Sequence, residues 1–366
     1  MNGREFGSDY LRGDGSLNAL HLARKTYNMW RTEGTTEMLK GIARHLTKRS
    51  VQSAKYEHLQ TVKMFGCADT LRLNEQFDYA LKLPFAFDVP QQDLKIVAVV
   101  HIFYSEFAGK IKSALSNIPG KVDVFISTDT KEKQEKIKTV FADFPKGRVT
   151  IKVFPNRGRD IAPMLVGFSD VYDNYDVAVH IHSKKSLHDS KELDGWGEYL
   201  FNANLGSPKI VGDILHILSF ADAGIVFPQH FYPVRDHINW GRDYAQTRSL
   251  LTKCGVTIDN RCLLDFPSGS MFWFKPQAVR PLLDLPLTFD KFPAENGQID
   301  GTLAHAVERS FLYICESQGL KWVKITTESA AVGDDTTVDT TVAAELQNNI
   351  DKCWQSLLTV RTDNVF

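Results

Sequence analysis

Apolar positions follow two rhythms along this chain. Leu17, Leu20, Ala23, Tyr27 and Trp30 recur at the three-to-four-residue spacing of a helix face. Gly34 breaks that run, and Thr35 with Glu37 behind it predicts a second helix carrying Leu39, Ile42, Ala43 and Leu46. Near Lys95 the rhythm changes to that of a sheet. Residues 96–100 are continuously apolar, the pattern of a strand buried on both faces. The spacing then predicts a helix over 106–118, a strand over 122–127, a Lys-rich helix over 130–144 and a strand over 149–154. An apolar helix starts at Ile161, and a strand covers 177–182. A helix over 207–220 has Pro208 at its favoured first position, and a strand follows over 224–227. Residues 229–262, rich in aromatics and charge, read as an inserted segment. A small-residue turn at 268–270 enters a strand ending at Phe274, and Asp300 opens a helix to Phe311. Residues 326–342 read as a connector and 343–358 as a last helix.

Strands alternating with helices imply an α/β fold with a mostly parallel sheet flanked by helices. The expected division is an N-terminal helical region at 1–92, the α/β domain at 93–325 and a C-terminal connector with a short helix at 326–366. The first region carries Arg24, Lys25, Arg31, Lys40, Arg44, Lys48 and Arg49 on polar faces, against Glu33 and Glu37. A basic amphipathic hairpin suits an anionic membrane surface, while the plainer reading is an ordinary helical hairpin docked on the main domain.

Composition narrows the partners. The chain has 366 residues, 43% of them hydrophobic, and a formal net charge of -1. That length supports two or three folding units with a large core. Near neutrality argues against nucleic acid as a partner. The five cysteines, Cys67, Cys254, Cys262, Cys315 and Cys353, form no C-x-x-C pair, so neither a disulfide framework nor a zinc site is indicated. A reducing, cytoplasmic setting is expected, with no signal peptide and no apolar run of membrane-spanning length.

Several familiar motifs are missing. No G-x-G-x-x-G follows the first strand, and no P-loop, G-x-S-x-G, H-E-x-x-H or D-x-D occurs. Residues 155–186 carry the chemistry instead. Asn156-Arg157-Gly158-Arg159-Asp160 packs two guanidiniums around a glycine, and guanidiniums pair bidentately with phosphate. The bland alternative is an Arg–Asp pair that only fixes the turn. On the strand that follows, His180 and His182 share one face. Lys184 and Lys185 come directly after, where strands of an open α/β sheet present their ligands. This predicts a site for an anionic, phosphorylated ligand, with hydrogen-bonded core histidines and a solvated lysine pair as the alternative. Two histidines are a weak metal signal, and an ammonium neutralises a diphosphate without a metal. Further on, Asp300 suits a general base or a helix N-cap. His305 and Glu308 are neighbours on one helix face, where Glu308-Arg309 could form a structural ion pair. Trp196, Trp240 and Trp273 could stack on sugars or simply fill the core.

Four motifs stand here in order: Asn156-Arg157-Gly158-Arg159-Asp160-Ile161, His180-Ile181-His182-Ser183-Lys184-Lys185-Ser186, Ser268-Gly269-Ser270-Met271-Phe272-Trp273, and the run from Asp300 to Arg309. Across residues 95–325 the chain resembles the rhamnan synthesis protein F family of bacterial glycosyltransferases. The resemblance implies a GT-A-like fold. It also implies transfer of a sugar, often L-rhamnose from dTDP-rhamnose, to a growing surface polysaccharide such as an O-antigen or rhamnan. His180-Ile181-His182 stands where such enzymes carry D-x-D, so the diphosphate site is expected to be rebuilt from His180, His182, Lys184 and Lys185. That favours a metal-independent site, with a divalent cation such as Mg2+ or Mn2+ as the other case, and assigns no metal ligand. Arg157, Gly158, Arg159 and Asp160 would hold the nucleotide. Ser268, Gly269, Trp273 and His305 would face the acceptor or sugar. A β-linked donor and an α-linked product would make the transfer inverting, with Asp300 as base and Glu308 as the second catalytic carboxylate. The implied partners are a nucleotide diphosphate sugar and a lipid-linked or polysaccharide acceptor, met at the inner face of the cytoplasmic membrane. The rival reading is a non-catalytic glycan-binding or scaffold protein on the same fold.

Overall fold

Among the described residues nine strands form one sheet, in the order β4-β3-β2-β5-β7-β6-β8-β1-β9. The computed structural model describes residues 78–184, 195–258, 264–295, 297, 300–327, 336–354 and 356–358. The hairpin expected in 15–50 and the side chain of Lys185 lie outside them. The strands are β1 (Ala80–Leu83), β2 (Ile96–His101), β3 (Val122–Thr128), β4 (Val149–Val153), β5 (Val177–His182), β6 (Ala223–Pro228), β7 (Phe272–Phe274), β8 (Lys321–Thr327) and β9 (Thr337–Val338). All neighbours pair in parallel except β7, which runs antiparallel to both β5 and β6.

Both faces of the sheet are covered, which is why its central strands read as unbroken apolar runs. On one face Val97, Val99, Ala178, Phe272 and Phe274 pack with Met164, Phe168, Tyr244 and Phe311. On the other, Ala98, Val100, Val177, Val179 and Ile181 pack with Ile111, Leu115, Ile137, Leu200 and Ile214. That second layer is built by α1 (Ala108–Leu115), α2 (Lys131–Phe141), α3 (Trp196–Leu205) and α4 (Pro208–Ser219). Local chemistry sets two of their starts. Thr130 Oγ1 accepts from Lys133 N at 3.3 Å at the head of α2, and Ser207 Oγ accepts from Ile210 N at 3.2 Å ahead of Pro208. The inserted segment contributes α5 (Tyr244–Lys253). The chain then runs through α6 (Leu303–Glu308), α7 (Phe311–Ser317) and α8 (Leu346–Cys353).

Three differences from the sequence pattern have physical causes. The apolar helix expected at Ile161 is a single wide turn, with π-helical geometry over Pro163–Gly167. Pro163 has no N–H to continue a regular ladder. Asp300 does not cap the helix after it. Thr302 stands at the cap of α6, and Gly301, at φ +81°, turns the chain between them. The sheet also takes in strands from either side of the 93–325 span, since β1 pairs with β8 and β9 pairs with β1. Among the described residues no helix is long and apolar enough to cross a membrane.

Candidate active site at the carboxyl ends of the strands

The reversed strand β7 shapes the site. Because it runs against its neighbours, its entry turn 268–270 lies at the edge where β2, β3 and β5 end. There His101 is in register with Ser127 on β3 and His182 on β5. His101 Nδ1 lies 2.9 Å from Ser127 Oγ. His180 Nδ1 donates to the Ser270 carbonyl at 2.7 Å, and His182 Nε2 donates to the Gly269 carbonyl at 2.8 Å. The turn can aim both carbonyls at β5 because Gly269 and Ser270 are both left-handed, at φ +83° and +53°. From the other side Glu308, at the end of α6, accepts from Gly269 N at 3.2 Å and from Ser270 Oγ at 2.9 Å.

Charge at this edge is unevenly placed. His180 is fully buried, and burial pushes its pKa down to about 4. Burial does the same to His101, again to about 4, so both rings are neutral near pH 7. Asp160 Oδ2 lies 3.9 Å from His180 Nε2, too far for a hydrogen bond. Lys184 brings a cation here, half-buried, with Nζ 3.6 Å from the centre of the Trp196 ring. Burial lowers its pKa to about 8, against the opposing pull of Glu308 and Asp160. Burial also raises the Glu308 carboxyl above the ordinary glutamate range, more than Arg309 and the Ser270 hydroxyl lower it. Its Oε1 takes both turn donors, so Oε2 remains for a ligand.

The Arg157–Asp160 loop is docked rather than open. Gly158 and Arg159 are both left-handed, at φ +66° and +53°. Arg157 Nη1 donates to the Phe292 carbonyl at 2.8 Å. Glu295 accepts from Gly158 N at 3.1 Å and faces Arg159 Nε at 3.4 Å. The Arg159 side chain remains 42% exposed, which leaves its guanidinium within reach of a ligand.

Asp300 belongs to a tighter cluster. Its Oδ2 accepts from Arg242 N at 2.9 Å, and its Oδ1 pairs with Arg309 Nη2 at 3.2 Å. Arg309 Nη1 reaches Asp243 Oδ2 at 2.9 Å. Burial raises Asp243, which holds the proton of this carboxyl pair. Burial raises Asp300 as well, but the hydrogen bond from Asp243, the Arg309 guanidinium and the Arg242 N–H together keep it ionised below the usual range. Asp243, Asp300 and His305 bring ligand atoms within 4.8 Å of one another, the spacing of a cation site. A divalent ion there would compete with Arg309 and with the shared proton. The β5 histidines do not share that spacing with it. Burial holds His305 down at about 4, with Nδ1 2.8 Å from Thr302 Oγ1.

Two further residues sit away from open surface. Trp273 is wholly buried on β7 and donates its indole N–H to the Asn204 carbonyl at 3.1 Å. Ser268 is 6% exposed, with Oγ 2.9 Å from His230 Nδ1. Sequence reasoning overlooked His101, Ser127, Asp243, His230 and Asp265. Only His101 carried a signal, as a polar residue closing an apolar strand in the manner of His182.

The fold and site define a doubly covered, mostly parallel α/β protein with a lysine and a half-buried carboxylate converging at its strand ends. The chain belongs to the rhamnan synthesis protein F family, whose profile matches residues 34–320. It is similar to two proteins of Xanthomonas campestris pv. campestris, both named uncharacterized protein WxcX. One is 34% identical over 215 residues, and its strain B100 counterpart is 33% identical over 215 residues. Each match covers 58% of this chain and 30% of the relative, so the matched part is under a third of those proteins.

Proposed function

We propose that this chain is a glycosyltransferase that passes a sugar from a nucleotide diphosphate donor to a bacterial polysaccharide, with inversion at the anomeric carbon. L-Rhamnose from dTDP-rhamnose is the donor we infer, on the strength of the family. The observation that carries the reading is Lys184 and Glu308 at one strand edge, beside the exposed guanidinium of Arg159. A diphosphate would lie against Lys184 and Arg159, with Lys185 and His182 as further candidates for its contacts. The nucleotide would lie along the Arg157–Asp160 loop, and the acceptor would approach Gly269 and His305.

Inversion needs one carboxylate to take the acceptor hydroxyl proton. Glu308 suits this better than Asp300. Burial makes it more basic, and one of its oxygens is unclaimed. Asp300 is a weak base clamped by Arg309. Two settings for charge neutralisation stand among the described residues, the cations Lys184 and Arg159 and the cluster of Asp243, Asp300 and His305.

The test is to incubate the chain with a panel of nucleotide sugars, follow melting temperature, and detect released nucleotide by mass spectrometry. A dTDP-rhamnose-dependent rise in melting temperature together with slow release of dTDP is expected. Binding without release would assign the chain to the non-catalytic, glycan-assembly reading. Neither binding nor release with any donor would sink the transferase reading.

A further inference from the structure

Apart from the histidines of β2 and β5, a second line of buried polar groups runs from the inserted segment to the turn at 268–270. Arg235 Nη2 pairs with Asp78 Oδ2 at 3.1 Å, and Asp78 Oδ1 with Lys324 Nζ at 2.8 Å. Lys324 Nζ pairs with Asp265 Oδ2 at 2.5 Å. Asp265 Oδ1 faces His230 Nε2 at 2.9 Å, and His230 Nδ1 faces Ser268 Oγ at 2.9 Å. Asp265 can only accept from the ring when ionised, so Nε2 carries its proton toward Asp265, and Nδ1 and the Ser268 hydroxyl complete the line. Lys324 is fully buried, and Asp78, His230 and Asp265 are each at most 3% exposed. Two carboxylates against one ammonium and one guanidinium leave the line electrically balanced. Burial alone would push Asp265 up, but Lys324 and His230 hold it down at about 2.

A buried ionic line is weak as a source of stability, because well-packed apolar residues serve as well. It is effective at fixing one geometry, and this one ends on a turn that needs fixing. Gly269 and Ser270 are consecutive left-handed residues, and Ser270 has a Cβ that disfavours that region. Ser268, Gly269 and Ser270 are pinned in turn by His230, by Glu308 and by Glu308 again. The order Ser268–His230–Asp265 is also that of a hydrolytic triad. The turn's N–H groups argue against that use. Gly269 N is given to Glu308 and Ser270 N to the Pro267 carbonyl at 2.9 Å, so neither is aimed at a developing oxyanion.

We propose that His230 is a positioning residue for Glu308. Through Ser268 it holds the 268–270 turn in the conformation that offers Gly269 N–H and Ser270 O–H to the Glu308 carboxylate and two carbonyls to His180 and His182. The functional meaning of this brace rests on the reading of Glu308 as base, but its physical effect can be measured without any turnover.

The experiment labels the full chain with glutamate 13C at the side-chain carboxyl and follows Glu308 by NMR, its signal assigned by its loss in Glu308→Gln. Ser268→Ala removes one hydroxyl and leaves the ionic line intact. In that variant the loosened turn withdraws the Gly269 N–H and Ser270 O–H donors that favour the ionised carboxylate, so the Glu308 titration midpoint should rise further above the ordinary glutamate range. Ser268→Thr, which keeps the hydroxyl, should titrate like the parent. His230→Gln breaks the line one residue earlier, should repeat the rise, and supplies the reading if Ser268→Ala does not fold. If transferase activity is present, the acid limb of kcat/KM should move by the same amount while donor KM stays constant. A Glu308 midpoint unchanged in folded Ser268→Ala or His230→Gln would overturn the brace. So would covalent labelling of Ser268 by a fluorophosphonate, which would make it a nucleophile. A normal titration shift with no transferase activity would support the brace and count only against the transferase reading.

Discussion

Glu308 and Asp300 are both carboxylates on the same stretch of chain, yet their surroundings drive them apart. Burial raises Glu308, whereas Arg309 and a protonated Asp243 hold Asp300 ionised. Groups pushed in opposite directions generally divide base and structural roles between them. Glu308→Gln should therefore cost about 10²–10⁴-fold in turnover, with donor affinity and melting temperature near those of the parent. Asp300→Asn should lower the melting temperature, because it weakens a partly buried ion pair, and should cost less activity. The reverse pattern, an inactive but stable Asp300→Asn beside an active Glu308→Gln, would give the base role back to Asp300. Lys184 yields a pH test. Its pKa is depressed to about 8, so the ammonium is mostly present at pH 7 and is lost as pH rises through 8. Donor affinity should fall over pH 7.5–9, by about tenfold or more once the charge is gone. Lys184→Arg should bind without that decline, since a guanidinium stays charged. A decline unchanged in Lys184→Arg would mean that another group titrates there.

At the scale of elements, the site depends on two backbone turns that bring distant segments together. Gly241 is one. A Cβ built there would lie 2.0 Å from Asp300 Oδ2, and its φ of +51° is left-handed. Gly241→Ala should destabilise by about 1–3 kcal/mol, read as a fall in urea midpoint at unchanged slope. An unchanged midpoint would show that the Asp300 carboxylate can step aside freely. The sequence shows why some elements were legible and others not. β2 and β6 were readable because burial on both faces leaves an apolar run, and β3 and β5 because a single polar residue, Asp123 or His180, interrupts theirs before the strand end. β8 was not, since Lys324 stands in its middle between Val323 and Ile325, and nothing local reveals that two carboxylates await it. β1 is only 4 residues long, too short for a pattern. His180, His182 and Lys184 were legible because an apolar strand ended in polar residues. His180 nevertheless lies in the core and uncharged, as burial, not sequence, decides its protonation. Arg159 could be read as a phosphate ligand, but its partner Glu295 lies 136 residues away and left no local trace.

The whole molecule is held across that distance by its buried charges, and acid should show it. Asp78 and Lys324, 246 residues apart, join the strand at one end of the described chain to a strand near the other. Asp265 sits on the same lysine, with its pKa lowered to about 2 against 3.8 for a free aspartate. A carboxyl depressed in the folded state stabilises the protein above its unfolded pKa, and that contribution is lost as pH falls through the folded value. The window is therefore about pH 4 down to pH 2, and the amount for Asp265 is on the order of 2 kcal/mol. Lys324 is raised in the folded state, so its contribution is complete below the ordinary lysine range and lost only in strong alkali. It therefore adds nothing to the acid limb. Asp265→Asn should lower stability at pH 7, by about 3–5 kcal/mol if Lys324 is left underpaired. It should also lose less stability than the parent between pH 4 and pH 2, since the titrating group is gone. Urea midpoints of both chains at pH 7, 4, 3 and 2.5 measure this, and the difference between them cancels the other carboxylates. Parallel acid limbs in parent and variant would mean that Asp265 is not held low by its lysine and histidine. Should Asp265→Asn not fold at pH 7, Asp265→Asn combined with Lys324→Met removes both charges and carries the same comparison.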